Sequence, residues 1–125
     1  MTQAQRIIEH LGAGGTLSRL DAWGKLGILE APARISELRA KGWGIDTEMV
    51  EIKNRYGERI KVARWHFRKT PENERRYLEL RLQKALTRYY YAEKGSVDRQ
   101  MAHTDVLVIE ESIRQLKAIQ QEAEQ

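Results

Sequence analysis

Residues 30–41 combine cations with small polar side chains at the spacing of a helix surface. Ile35 and Leu38 lie three residues apart and share one face, which predicts a buried stripe. The positions left for outward contacts are Arg34, Ser36, Glu37, Arg39, Ala40 and Lys41. An arginine can donate two hydrogen bonds to guanine, and a lysine can contact a phosphate. This helix is therefore predicted to enter the DNA major groove.

Arg34 also permits a structural interpretation, because it flanks the apolar stripe. It is placed to form an ion pair with Glu30 or Glu37, and the residues alone do not decide between that pair and a base contact. DNA contact is therefore expected mainly from the exposed edge at Ser36, Ala40 and Lys41. An ordinary solvated helix face is the alternative.

A second cationic cluster lies at the tip of a predicted β-hairpin. Residues 54–57 predict a turn between strands over 45–52 and 59–67, because the flanking segments are rich in β-branched residues. Around this turn lie three candidate DNA contacts: Lys53, Arg55 and Arg59. Their cations can reach the minor groove or the phosphate backbone. A hairpin tip that is charged only for solubility is the alternative.

Two further cations flank a predicted helix over residues 19–26. Ser18 is expected to cap this helix, with Asp21 completing a capping box. A helix N-terminus favours phosphate through its free amides and its dipole. Contacts from Arg19 and Lys25 to the DNA backbone are therefore predicted.

Three helices are predicted before the hairpin. The first follows Thr2 and ends near Leu11, because the glycine-rich residues 12–15 cannot continue a helix. A short extended piece at residues 16–17 precedes the second helix, which is followed by a tight glycine-containing turn and the third helix. This arrangement predicts a helix-turn-helix.

The second helix and its turn contain four large apolar side chains. Leu20 and Trp23 are expected to turn inward from the helix, and the neighbouring Ala22 is a further candidate. Ile28 and Leu29 are expected to anchor the turn that leads to the third helix.

Residues 3–67 resemble the winged helix-turn-helix domains common in bacteriophages and prophages. The family pattern is Ala-Arg-Ile-x-x-Leu-Arg-x-x-Gly, then an aromatic residue, Ile-x-Thr and a two-stranded wing. The matching residues are Ala33, Arg34, Ile35, Leu38, Arg39, Gly42, Trp43, Ile45 and Thr47, preceded by Gly15, Leu17 and Leu26-Gly27-Ile28. The resemblance implies a DNA-binding domain over residues 1–69. Pro32 departs from the family, where a small or apolar residue is commoner.

The remaining segment, residues 70–125, is predicted to form an antiparallel helical hairpin. Thr70 and Pro71 predict the start of a helix that continues to about residue 92. Residues 95–105 are expected to be a polar connector, and a final helix is expected from Thr104 or Asp105 to about Ala123. Such a hairpin has too little core to be stable alone, so it is expected to pack on the preceding domain or on another chain. DNA-binding proteins of this size usually dimerise, so we expect residues 71–124 to form a homodimer. The predicted fold class is mainly α with a small β-hairpin.

The charge is concentrated in the first part of the chain. Residues 1–70 carry 13 Lys and Arg against 8 Asp and Glu, whereas residues 71–125 carry 9 against 10. The basic part suits a polyanion partner. The N-terminus lacks the apolar run of a signal peptide, no stretch approaches a membrane span, and cysteine is absent, so a cytoplasmic protein of a bacterial host is expected.

Other classes of site are disfavoured by the sequence. His10, His66 and His103 are scattered without metal-ligand spacing, so no metal or cofactor is expected. No nucleophile–base arrangement and no phosphate-binding glycine loop is recognisable, which argues against an enzyme. The run at residues 89–91 could stack on single-stranded nucleic acid, but helix packing explains these tyrosines better.

Double-stranded DNA binding by a phage or prophage transcriptional regulator is the function predicted from these features. The alternatives are a phage structural or packaging protein, such as a small terminase-like subunit or a head–tail joining protein, and a protein–protein adaptor. The mass in solution separates the first two, because a regulator would be a dimer and a packaging subunit a larger ring.

Overall fold

The computed structural model describes residues 2–124, and the chain forms two compact units that divide between Lys69 and Thr70. The first unit consists of three helices and a three-stranded antiparallel sheet. The second consists of two long helices that pack against each other. The predicted fold class is therefore confirmed, with one additional strand in the sheet.

The three helices of the first unit end where local signals predict. They are α1 (Gln3–Gly12), α2 (Arg19–Leu26) and α3 (Ala31–Ala40). Thr2 caps α1, and Gly27 ends α2 in the left-handed conformation at φ 69°. Gly42 follows α3 at φ 99°, and the Trp43 N–H donates to the carbonyl oxygen of Leu38 at 3.1 Å. This six-residue closure ends α3 and turns the chain into the sheet.

The sheet joins the hairpin to the segment before α2. Its strands are β1 (Leu17–Ser18), β2 (Ile45–Lys53) and β3 (Arg59–Phe67), in the order β1-β3-β2. Leu17 pairs with Trp65, and the hairpin pairs in register from Ile45–Phe67 to Lys53–Arg59. The short extended piece is thus a third strand, because its backbone pairs with two residues on the edge of β3 that β2 leaves open.

The core of the first unit contains one or more side chains from each helix and strand. The fully buried large side chains here are Ile7, Leu11, Leu17, Ile28, Ile35 and Leu38. The α1–β1 connection is tight at Gly15, where an added Cβ would lie 2.8 Å from the carbonyl oxygen of His10. The His10 Nε2 also lies 2.8 Å from the carbonyl oxygen of Thr16, which holds this connection against α1.

The inward orientation expected for α2 is wrong for Leu20 and Trp23 and right for Ala22. Leu20 is 77% exposed and Trp23 53% exposed, whereas Ala22 is fully buried and Leu26 half-buried. The helix has only eight residues, so its buried side is set by the pair Ala22–Leu26 at a spacing of four. Because alanine is small and only weakly apolar, the hydrophobicity pattern of the sequence does not show which side of α2 is buried.

The turn after α2 is anchored by Ile28 alone. Its N–H donates to the carbonyl oxygen of Ala22 at 2.9 Å, and its side chain is fully buried. Leu29, expected to share this role, is instead 63% exposed.

The second unit is a helical hairpin of α4 (Pro71–Tyr91) and α5 (Val97–Glu124). Thr70 caps α4 through a hydrogen bond from the Asn73 N–H to the Thr70 hydroxyl oxygen. The shared core of the two helices contains Leu78, Ala85, Val106, Ile109 and Ile113, with Leu82, Leu86 and Leu116 packed against it.

The polar connector expected at residues 95–105 is wrong, because α5 already begins at Val97. The Arg99 N–H donates to the Ser96 hydroxyl oxygen at 3.2 Å, so Ser96 stands where a helix cap belongs. Ala102 is fully buried four residues before Val106 and extends the apolar stripe by one turn. Because alanine is small and only weakly apolar, a hydrophobicity pattern does not reveal this extra turn of the apolar stripe.

Candidate nucleic-acid interface

The exposed edge of α3 carries the predicted base-contacting residues. Ser36, Ala40 and Lys41 are exposed, whereas Ile35 and Leu38 are buried on the opposite side of the helix. The edge is therefore built from short side chains, with a lysine at its C-terminal end. Short side chains let a helix approach base edges closely, and the thymine methyl group is a natural contact for alanine.

Arg39, at the end of α3, binds the first residues of β2. Its Nε donates to the carbonyl oxygen of Ile45 at 3.0 Å, and an Nη donates to the Thr47 hydroxyl at 2.8 Å. Both bonds fix the angle between α3 and the hairpin. Arg39 therefore has a positioning contact in addition to its predicted contact with DNA.

Arg34 forms the ion pair that sequence reasoning left open. Its guanidinium lies 3.1 Å from the carboxylate of Glu37 rather than beside Glu30, and its side chain is about one-third exposed. Its Nε is buried without a hydrogen-bond partner in the described part of the chain. A base contact by Arg34 would need the Glu37 pair to open.

The tip of the hairpin is held in a defined turn by Asn54. The Asn54 side-chain oxygen accepts hydrogen bonds from the N–H groups of Tyr56 and Glu58 at 2.9 and 3.0 Å. Gly57 adopts φ 78°, which a side chain would strain. The turn therefore presents the exposed Arg55 and Tyr56 from a fixed backbone.

Three cations in the outer part of the hairpin share one face of the sheet. Lys53 lies directly opposite Arg59, and Glu51 directly opposite Lys61. The Arg59 Nε is 3.8 Å from the Glu51 carboxylate, so one acid faces three cations on this face. Lys61 was not among the predicted site residues, although its two-residue spacing from Arg59 is the sequence signal that places it there.

The N-terminus of α2 already holds a carboxylate. Ser18 and Asp21 form the predicted capping box, with the Asp21 N–H donating to the Ser18 hydroxyl at 3.0 Å. The backbone N–H of Ser18 donates to the Asp21 carboxylate and lowers its pKa below the ordinary value. Asp21 lies 4.0 Å from the Lys25 ammonium, so Lys25 is partly neutralised there. Arg19 remains exposed at the start of the helix.

One surface of the first unit was not anticipated as a site. The exposed Leu20, Trp23 and Leu29 line a groove of about 940 Å³ together with residues of the hairpin. In the sequence these apolar residues lie next to a helix cap, and their spacing predicts core positions rather than a groove.

Two further properties bear on the class of protein. Within residues 2–124, no cluster of three or more His, Asp or Glu residues could hold a metal ion. No helix in that range has the length and apolar character needed to cross a bilayer.

Comparison with protein families gives one match. A model described as a winged helix-turn-helix domain matches residues 2–77, which is more than half of the chain. The match contains α1–α3, the whole sheet and the first residues of α4. No curated protein and no solved structure matches the chain significantly.

Proposed function

The chain belongs to the winged helix-turn-helix family, and from this premise we propose that it binds double-stranded DNA as a transcriptional regulator of phage or prophage origin. In this proposal the protein has no catalytic activity and acts in the cytoplasm of a bacterial host. The α3 edge reads bases in the major groove, and the hairpin, here called the wing, contacts the flanking backbone.

The observation that carries the proposal is the combination of α3 and the wing in one rigid arrangement. Arg39 bonds the end of α3 to Ile45 and Thr47 of β2. The wing then extends three cations on one face, and its turn places Arg55 at the tip. A DNA-binding domain of this form contacts bases through its helix, and its contacts with phosphates contribute salt-dependent affinity.

A homodimer through residues 71–124 completes the proposed function. The α4–α5 hairpin buries one apolar stripe, yet α5 presents a second row of apolar side chains on a neighbouring face. Its members include Val97, Met101, Val108 and Ile119, each more than half exposed. A second copy can cover this row, and a two-fold dimer would place two winged domains on half-sites about one helical turn apart.

Wing variants test DNA binding directly. We expect the triple change Lys53→Ala, Arg55→Ala and Arg59→Ala to weaken binding to all sequences. The slope of log affinity against log salt should fall by about 0.9 for each phosphate contact that is lost. Fluorescence anisotropy with random and selected duplexes over a salt series measures both effects.

The matched control removes the same charge from the second unit. Lys94→Ala, Arg114→Ala and Lys117→Ala change three exposed cations outside the wing. This triple variant should retain nearly the wild-type slope. Equal losses in the two triple variants, or no loss in either, would rule out the wing as the DNA-binding surface.

A further inference from the structure

An apolar groove lies in the first unit between α2 and the outer part of the wing. Its volume is about 940 Å³, and it is lined by Leu20, Trp23 and Leu29 on the helical side. Ile52, Ile60 and Val62 line it on the wing side, and Ile60 is 41% exposed. A contiguous apolar surface of this kind marks an interaction site, because isolated surface residues have no reason to cluster around a concavity.

The groove runs beside an open strand edge. β3 is the central strand, and β2 pairs with its whole length. On the other side β1 pairs only with Arg64 and Trp65. Along residues 59–63, this side of β3 therefore has no pairing strand in the described part of the chain. An open edge beside an apolar groove is the geometry in which an extended peptide adds a strand.

The side chains along this edge alternate in chemistry. Ile60 and Val62 lie on one face, where they pair with Ile52 and Val50 across the hairpin. Arg59 and Lys61 lie on the other face. A strand added here would therefore meet apolar groups on one side and cations on the other.

At the inner end of the groove, Arg64 offers a hydrogen-bond donor that a bound segment can pair with. It lines the groove, and its Nε is buried without a hydrogen-bond partner among the described residues. A buried donor without an acceptor is costly, and a carbonyl or carboxylate oxygen of a bound segment would satisfy it.

A second copy of this chain does not suit the edge. Pairing two β3 edges antiparallel, in a register that keeps Ile60 and Val62 on the apolar side, sets Arg59 and Lys61 of one copy against Lys61 and Arg59 of the other. Like charges directly opposite each other destabilise a strand pair. The partner must instead place acidic residues on that face.

We propose that the open edge of β3 and the adjoining groove bind an extended segment of a partner protein in which acidic and apolar residues alternate. The acidic residues face Arg59 and Lys61, while the apolar residues enter the groove against Leu20 and Trp23. This protein-binding site shares Arg59 with the proposed DNA-contacting wing, and its occupation does not require DNA.

Selection from displayed random twelve-residue peptides on the full chain tests this proposal. We expect enriched peptides to alternate acidic and apolar residues. The most enriched peptide is then synthesised, and hydrogen exchange should show slower exchange of the amides at residues 59–63 when it is bound. No enrichment, or enriched peptides without the alternation, would overturn the proposal.

Point variants locate the binding site. Leu20→Glu should weaken binding of the synthetic peptide about tenfold or more, which is equivalent to about 1.4 kcal/mol. The change places a negative charge where the apolar residues of an acidic peptide enter the groove. Leu107→Glu makes the same change at another exposed leucine, on α5 outside the groove, and should change the affinity less than about twofold. If Leu20→Glu does not fold, Leu20→Ser replaces it.

Equal peptide affinity for the Leu20→Glu and Leu107→Glu variants would refute the groove as the site. Weaker duplex DNA binding in Leu20→Glu than in Leu107→Glu, with no peptide bound by the wild-type chain, would assign the groove to DNA and also refute it. Both tests leave the wing cations intact. A failure of DNA binding in the wing triple variant is therefore distinguishable from a failure of this site.

Discussion

Arg39 and Ile45 join α3 to the wing: the Arg39 Nε donates to the Ile45 carbonyl oxygen at 3.0 Å. A second bond from the same guanidinium reaches Thr47 at 2.8 Å. Lys41, two residues later at the C-cap of α3, belongs to the exposed edge instead. The two cations near the end of α3 thus lie in different places: Arg39 joins α3 to β2, and Lys41 lies on the exposed edge.

Replacing Arg39 with lysine should separate its positioning role from its charge. Lysine keeps the cation but lacks the planar fork that spans two acceptors. We expect a loss of about 1 kcal/mol in the free energy of unfolding, since two exposed or half-buried hydrogen bonds are weakened. Urea unfolding of the full chain measures it. Arg39→Lys with wild-type stability would contradict the positioning role, and Ser36→Ala on the outer edge of α3 serves as the control.

The capping box of α2 predicts a pH-dependent contribution to stability. The Ser18 backbone N–H lowers the pKa of Asp21 in the folded state, so ionised Asp21 stabilises the fold above its unfolded pKa. That contribution is lost as the pH falls through the lowered, folded pKa. Asp21→Asn should therefore be less stable than wild type at pH 7, and the difference should shrink in strongly acidic solution. Thermal unfolding at a series of pH values measures this difference.

Ser18→Ala supplies a comparison that does not titrate. Removal of the N-cap hydroxyl should cost about 1 kcal/mol at neutral pH. An Asp21→Asn difference that stays constant from pH 7 into acid would contradict the carboxylate's contribution.

The early start of α5 can be tested by a buried charge. Ala102 is fully buried, whereas the nearby Thr104 is exposed on the same helix. Ala102→Glu should destabilise the second unit by several kcal/mol, because it places a charge and excess volume in a packed interface. Thr104→Glu should be nearly neutral. Denaturant unfolding followed by circular dichroism compares them, and a neutral Ala102→Glu would contradict a helix that begins at Val97.

Dimerisation is tested best on the exposed row of α5. Val108 and Ile119 are 60% and 56% exposed, so Val108→Glu with Ile119→Glu should give a folded monomer. Ile113 belongs to the buried core of the hairpin, and Ile113→Asp should unfold the second unit instead. Light scattering gives the mass, and circular dichroism gives the helix content.

A dimeric, fully folded Val108→Glu/Ile119→Glu variant would exclude this row as the interface. A wild-type mass of eight to twelve chains would favour a packaging ring over a regulator. A monomeric wild-type protein would contradict the proposal that a two-fold dimer binds two DNA half-sites.

Local signals in the sequence determined most of the element boundaries. The Ser18–Asp21 box, Gly27, the glycine after α3 and the turn at residues 54–57 each act within a few residues. Their effect depends on backbone hydrogen bonds and allowed φ angles, which neighbouring residues set without help from the rest of the chain. The predicted helices, hairpin and winged architecture followed from these signals and from the family pattern.

Tertiary structure decided which faces are covered in α2 and at the start of α5, whereas the buried stripe of α3 followed from the sequence. Ala22 in α2 and Ala102 in α5 mark the core by close packing, and a hydrophobicity pattern cannot distinguish them from surface alanines. The pairing of Leu17 with Trp65 joins residues far apart in the chain. The exposed groove beside α2 arises from the same non-local contacts, because the sequence specifies apolar side chains but only the packed elements decide which of them remain open to a partner.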